Sequence, residues 1–188
     1  CALGSRKPPE FTWKEEVLLA DGRMITVTQW RATQQAYDGQ YFSTIPRLGK
    51  LTFAMRETGG KEVTWSGAFQ PLILNVHEGV VYLAGMPFTA REFEQYGRPR
   101  SGWIAQRLIA GPSWERIKPA EVPETLRTTN LVKAGAWGRV DSVKLLTWAE
   151  KDSERVNRSG LYSPEKDSLD PLRKSRGASG LADRDLTD

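Results

Sequence analysis

Between residues 11 and 118 the chain never holds one hydrophobic period for longer than a short strand needs. Apolar and polar residues alternate over a few positions, a turn signal follows, and the alternation resumes, roughly every 8 to 12 residues. Trp13, Val17 and Leu19 share one parity, Asp21-Gly22 supplies a tight turn, and Ile25 and Val27 continue on the return strand. Leu51, Phe53 and Met55 alternate next, Gly59-Gly60 reverses the chain, and Val63 and Trp65 come back. Leu72 to Val76 and Val80 to Ala84 flank His77-Glu78-Gly79 as a third hairpin. The intervening stretch 33–49, rich in Gln, Gly, Tyr, Ser and Pro, reads as a long loop.

One helix interrupts the strands. Thr89 with Glu92 three residues later forms a capping box, and Gly97 stands as a C-terminal stop, which predicts a short helix over 90–96 showing Phe93 on one side. Strands resume at 103–109 and 114–117 around Gly111-Pro112, and 119–126 predicts a further helical turn. Residues 143–149 are apolar and fit a last strand or a helix equally, because seven positions are too few to separate the two periods. The expected fold is mainly β, an antiparallel meander or sandwich with one or two short helices. After Lys151 only one aromatic, Tyr162, interrupts a stretch of Ser, Gly, Asp and Arg, so 151–188 is expected to be a polar, disordered tail unless bound.

The length, 188 residues, allows one domain of this kind with its ends. A single cysteine excludes an internal disulfide and a Cys-rich metal site, and no apolar run approaches the length of a membrane span. The net charge of +4 falls within residues 1–150, since the tail carries eight basic and eight acidic side chains. Those charges alternate in sign, as in Lys14-Glu15-Glu16, and read as a solvated mixed surface. The densest basic patch, Arg98 and Arg100 around Pro99, is too small for a phosphate track, so no nucleic-acid partner is expected.

Cys1 is followed by Ala2-Leu3-Gly4-Ser5-Arg6-Lys7-Pro8-Pro9, which reads as a flexible tether over 1–10. The pattern looks like the mature end of a bacterial lipoprotein, acylated on the cysteine. Acyl chains contribute about 0.8 kcal/mol per buried CH₂, and two or more hold a protein stably. With Ala2 rather than an aspartate behind the cysteine, the outer membrane, on its periplasmic side, is the expected location. Two other readings stay open: Cys1 as an N-terminal nucleophile using its own amine as base, and Cys1 as the place where a cut fell.

Catalytic patterns are sparse. His77 is the only histidine and sits in a hairpin turn, so neither a multi-histidine metal site nor a Ser-His-Asp triad is expected. No nucleophile elbow, phosphate loop or dinucleotide fingerprint is present, and no cofactor is implied. A glycosidase needs only two carboxylates, for which Glu62, Glu78, Glu92, Glu94 and Glu115 are candidates; each also reads as a surface charge. Glu15 and Glu16 cannot act as a pair, because neighbours on a strand face opposite ways. Of the tryptophans, Trp13, Trp65 and Trp114 read as core, and Trp103, beside Gly102 and near Arg98 and Arg100, as the candidate partner contact.

The run from Trp13 through Arg23 with Ile25 and Val27, the run from Trp65 through Val76, Gly79 through Pro87, Tyr96-Gly97 and Trp114 through Ile117 together resemble a family of uncharacterised proteobacterial lipoproteins. The resemblance spans roughly 11–152 and rests on strand and turn patterns. It implies a lipid site at Cys1 and carries no catalytic residue. The sequence thus predicts a non-enzymatic binding module of the cell envelope over 11–150, held by acyl chains on Cys1, with a protein or other envelope component as partner. Its alternatives are a protective lipoprotein for phage exclusion or toxin immunity, and a carboxylate-dependent envelope hydrolase.

Overall fold

Period-two patterning becomes eight strands: β1 (Glu10–Leu18), β2 (Met24–Tyr37), β3 (Phe42–Ala54), β4 (Glu62–Gly67), β5 (Phe69–His77), β6 (Val80–Pro87), β7 (Ile104–Ala110) and β8 (Ser113–Ile117). The computed structural model describes residues 9–37, 42–133, 145–151, 162, 164 and 168–170. The strands form two antiparallel sheets in sequence order, β1-β2-β3-β4 and β5-β6-β7-β8. Helix α1 (Ala90–Gln95) lies between β6 and β7, and α2 (Trp148–Lys151) follows later.

One core lies between the sheets. Val17, Val27, Leu51, Phe53, Val63 and Trp65 from the first sheet pack with Phe69, Leu74, Val76, Val81, Leu83 and Ile104 from the second. At about 25 cal/mol per Å² of apolar surface removed from water, this shared burial is what joins the two sheets. The hairpin between β5 and β6 has Glu78 and Gly79 at φ 49° and 78°, the two positive values that match the twist of the flanking strands.

The second sheet is covered on its outer face as well, where Leu72, Ile73, Ala84, Trp103, Ala105 and Ile117 meet Val122, Leu126 and Leu169. That double cover explains why β5 is apolar almost without alternation. A third cluster, Trp13, Val132, Leu146 and Tyr162, fills the space beside β1. Tyr162 and Leu169 are therefore buried against the strands, although they lie in the polar tail; the remainder of that expectation lies mostly outside the described residues. A boundary drawn at 150 would cut α2, whose last residue, Lys151, is wholly buried.

One expectation needs correction. The stretch 33–49 is not a long loop: β2 runs on to Tyr37 and β3 starts at Phe42, pairing from Thr33↔Pro46 to Tyr37↔Phe42, with a register shift between Ala32 and Thr33. Residues 38–41 lie outside the described ones. The Gln, Tyr and Ser content misled because a two-stranded ribbon with solvent on both sides needs no apolar alternation, and backbone pairing alone sets it.

The flank between β1 and β5 is sealed. Asn130 donates from Nδ2 to Leu18 O (3.0 Å) and Leu74 O (2.7 Å), and its Oδ1 accepts from Leu74 N (2.9 Å). Asn75 adds a bond from Ala20 N at 2.7 Å. Leu146 lies parallel on the outer edge of β1, exchanging bonds with Lys14 O and Glu16 N at 2.9 Å each.

Candidate functional site

Two places hold more chemistry than packing needs. The first is a chain of ionic groups on the inward face of the first sheet. On β1 the inward positions Trp13, Glu15 and Val17 carry one carboxylate, and on β2 the inward positions Val27, Gln29, Arg31 and Thr33 turn polar along the strand. Glu15 accepts from Trp13 Nε1 (3.2 Å), Val132 N (3.1 Å) and Gln29, and is ion-paired with Lys151 Nζ at 2.5 Å. Gln29 passes the polarity on by accepting from Arg31. Arg31 is wholly buried, with its guanidinium 5.2 Å from the Trp13 ring and 5.7 Å from Phe88. Gly49 makes room for it: a Cβ there would stand 3.1 Å from Arg31 Nη1.

Burial pushes the Arg31 guanidinium down to about 9, against the pull of Glu15. Lys151 is likewise pushed below the usual lysine range by burial, opposed by Glu15. It also donates to Asn130 O at 2.8 Å and faces the rings of Trp148 and Tyr162. A substrate cannot reach groups with no exposed surface, and this buried ionic network ties the segment 145–151 to β1. Glu15 is thus a correction to the reading of Lys14-Glu15-Glu16 as wholly solvated surface.

The second place is a groove of about 490 Å³ at the hairpin end of the molecule. Its walls are Glu62, Val63 and Thr64 of β4 on one side, and Gly79, Val81 and the run Leu108 to Pro112 on the other. Ile109 stands 58% exposed at its rim, a large apolar side chain with little cover. Glu57 forms part of the lining, and its charge is already committed: Arg23 Nη2 donates to it at 2.8 Å. Burial alone would raise its pKa, but the bond from Arg23 holds it below the usual carboxylate range. Lys61 and Glu62, exposed and of opposite sign, sit side by side at the start of β4 and form no ion pair among the described residues.

The sequence candidates fall elsewhere. Trp103 is not a contact residue: it is 3% exposed and packs among Leu72, Ala84, Ile117 and Val122, because the segment after β8 folds back over the outer face of the second sheet. Arg98 and Arg100 are exposed in the β6–β7 crossover, at the opposite end of β6 from the groove, and Arg98 pairs with Glu94 at 2.9 Å. Cys1 lies outside the described residues. Trp13 and Trp65 are core, and Trp114 is partly buried against it.

The candidate carboxylates are each engaged or isolated. Glu115 pairs with Arg107 at 2.7 Å and Glu92 with Arg47 at 2.9 Å. Glu78 is exposed in the hairpin turn beside an exposed His77. Glu92 is buried rather than a surface charge. Its carboxylate takes the Thr89 hydroxyl and Arg47, tying α1 to β3; burial would raise its pKa, yet these two bonds hold it below the usual range. Among the described residues no group of three or more His, Cys, Asp or Glu could hold a metal ion, and no helix is long and apolar enough to cross a membrane.

Ile109 and Lys61 went unnoticed in the sequence, and Glu62 stood there only as a candidate carboxylate, because a groove depends on which hairpins end side by side. Glu15, Gln29 and Arg31 did leave a signal: each keeps the parity of Trp13, Val17 and Val27, and a polar residue in register with an inward face is a buried one. Comparison with family models, curated proteins and solved structures gives no match to this chain.

Proposed function

We propose that this chain is a non-enzymatic binding module of the bacterial cell envelope, held at the periplasmic side of the outer membrane by acyl chains on Cys1. The observation that supports binding is the groove itself, with Ile109 exposed at its rim, since a preformed, partly apolar cleft is where proteins most often take up a ligand or partner. The scaffold suits such a role: Val63 and Val81 of the groove wall belong to the central core and Leu108 packs against it, so the cleft is formed before a partner arrives. The engaged state of Glu92, Glu94 and Glu115 favours binding over a hydrolase, because a carboxylate held by its own arginine is less free to serve as acid or base.

The test places a photo-crosslinking amino acid at Ile109 in the intact precursor, expressed with and without Cys1→Ala, alongside fatty-acid labelling and membrane fractionation. The proposal expects a labelled, membrane-bound wild type, an unlabelled soluble variant, and one dominant crosslinked species from position 109. A wild type that is unlabelled and soluble yet still crosslinks from position 109 would overturn the anchor and keep the binding site. Activity lost in two of the single Gln variants of Glu62, Glu78, Glu92, Glu94 and Glu115, with folding intact, would favour the hydrolase.

A further inference from the structure

Glu62, Val63 and Thr64 are consecutive, yet all three line the groove. Successive side chains on a strand point to opposite faces, so a cleft that touches three in a row runs along the edge of the strand and not over one of its faces. Among the described residues that edge is open: β4 is the last strand in the order β1-β2-β3-β4 and pairs there with β3 alone. Its outer side presents a row of backbone donors and acceptors. The opposite flank differs, since Leu146, Asn130 and Asn75 cover the edges of β1 and β5 there. Edge strands that carry no partner are commonly covered, bulged or interrupted by proline; β4 pairs in regular register with β3, and its sequence Glu-Val-Thr-Trp-Ser-Gly has no proline.

We infer that the groove accepts an extended segment of a partner protein, added antiparallel to β4 as a further strand. This rests on the binding reading above and names the occupant of that site. The register follows from charge and parity. A residue opposite Glu62 on an antiparallel strand is complementary when basic, and the next residue, opposite Lys61, when acidic. The residue before that basic one lies opposite Val63 and shares its inward face, towards Val81, Leu108 and Ile109, so it is apolar; the residue opposite Thr64 is polar and solvated. The recognised order is therefore polar, apolar, basic, acidic. Backbone bonds supply affinity and the alternate side chains supply selectivity.

The probe is the synthetic hexapeptide Thr-Val-Thr-Val-Lys-Asp, titrated into the ¹⁵N-labelled full chain. Saturable shifts and slowed amide exchange in β4 are expected, with about tenfold weaker binding when alternate peptide amides are N-methylated in the register facing β4, since each lost backbone bond is worth about one decade or less in affinity. Ile109→Asp is expected to weaken the peptide by a similar factor without moving the unfolding midpoint, and the reversed peptide Asp-Lys-Val-Thr-Val-Thr to bind less well. Equal binding of the N-methylated peptides in both registers overturns strand addition. Crosslinking from position 109 with no effect of any peptide on β4 also overturns it, while the binding reading survives. Absence of both removes the groove as a site altogether.

Discussion

Lys151 Nζ lies 2.5 Å from Glu15 Oε2, and neither side chain has any exposed surface. The contact joins residues far apart in the chain and fixes α2 to β1. The two partners are not equivalent. Glu15 also receives Trp13, Gln29 and the Val132 amide, and among the described residues is the one carboxylate of the buried network that ends at Arg31. Removing it takes from Arg31 the carboxylate that favours its charge and leaves Lys151 with the weaker pull of Glu16, whereas removing Lys151 leaves Glu15 with its remaining donors.

Glu15→Gln is accordingly expected to lower stability by about 3–5 kcal/mol, the range for uncovering a buried charge, and Lys151→Met by less. At the size of this domain the former is a fall of roughly 10 °C or more in Tm. Thermal and urea melts of both single variants and the double variant decide the matter. A double variant more stable than Glu15→Gln alone shows that the stranded lysine, not the lost bond, dominates the cost. Equal effects of the two single variants would contradict the asymmetry.

Glu92 offers a pH signature. Its folded pKa lies below the ordinary value of 4.5, so the folded chain binds fewer protons than the unfolded chain between the two values. Its contribution is fully present above about 4.5 and is lost as pH falls through the folded value. Wild type is expected to exceed Glu92→Gln in stability by about 1–2 kcal/mol at pH 7, from the helix cap and the Arg47 bond together. The two denaturation curves converge as pH falls from 4.5 through the lower, folded-state value. A gap that stays constant over that interval would show that the glutamine differs for reasons of shape and not of charge.

The strands were legible because each hairpin carries its own local instructions: parity on both arms and Gly22, Gly59-Gly60 or Gly79 between them. The short helix was legible for the same reason, Thr89 and Glu92 being near neighbours. What escaped was decided at long range. Nothing near Trp103 shows that Val122, Leu126 and Leu169 return to cover it, and nothing near Lys151 shows a carboxylate at Glu15. The edge of β4 became visible only once the order of strands placed it outermost.

That return of chain over the second sheet makes Trp103 a core residue with a measurable cost. Trp103→Ala is expected to lose about 3–5 kcal/mol through the cavity it opens beneath Leu126 and Leu169. Arg98→Ala and Arg100→Ala, at exposed positions of the same crossover, are expected to stay within about 0.5 kcal/mol of wild type. Urea denaturation of the three variants separates packing from surface. A mild effect at Trp103 would mean that the covering segment contributes little to the folded domain.

Gly85 is the tightest backbone position in the second sheet. A Cβ there would sit 1.8 Å from Gln70 O and 2.7 Å from Gln70 C, with the Phe69 ring at 2.9 Å. Unlike a flexible side chain, the peptide of Gln70 cannot turn aside, because it belongs to β5 next to the register shift between Pro71 and Ile73. Gly85→Ala must therefore force β5 and β6 apart where Phe69 enters the central core. The expected cost is about 3 kcal/mol, the upper end for overpacking. Gly49→Ala meets the end of the Arg31 side chain at 3.1 Å, with Phe69 O and the Phe88 ring each standing off at 3.4 Å, and is expected to cost less than half as much. Chemical denaturation of the two alanine variants checks the order, and amide exchange locates the damage, expected at the start of β5 for Gly85 and around β2 and β3 for Gly49.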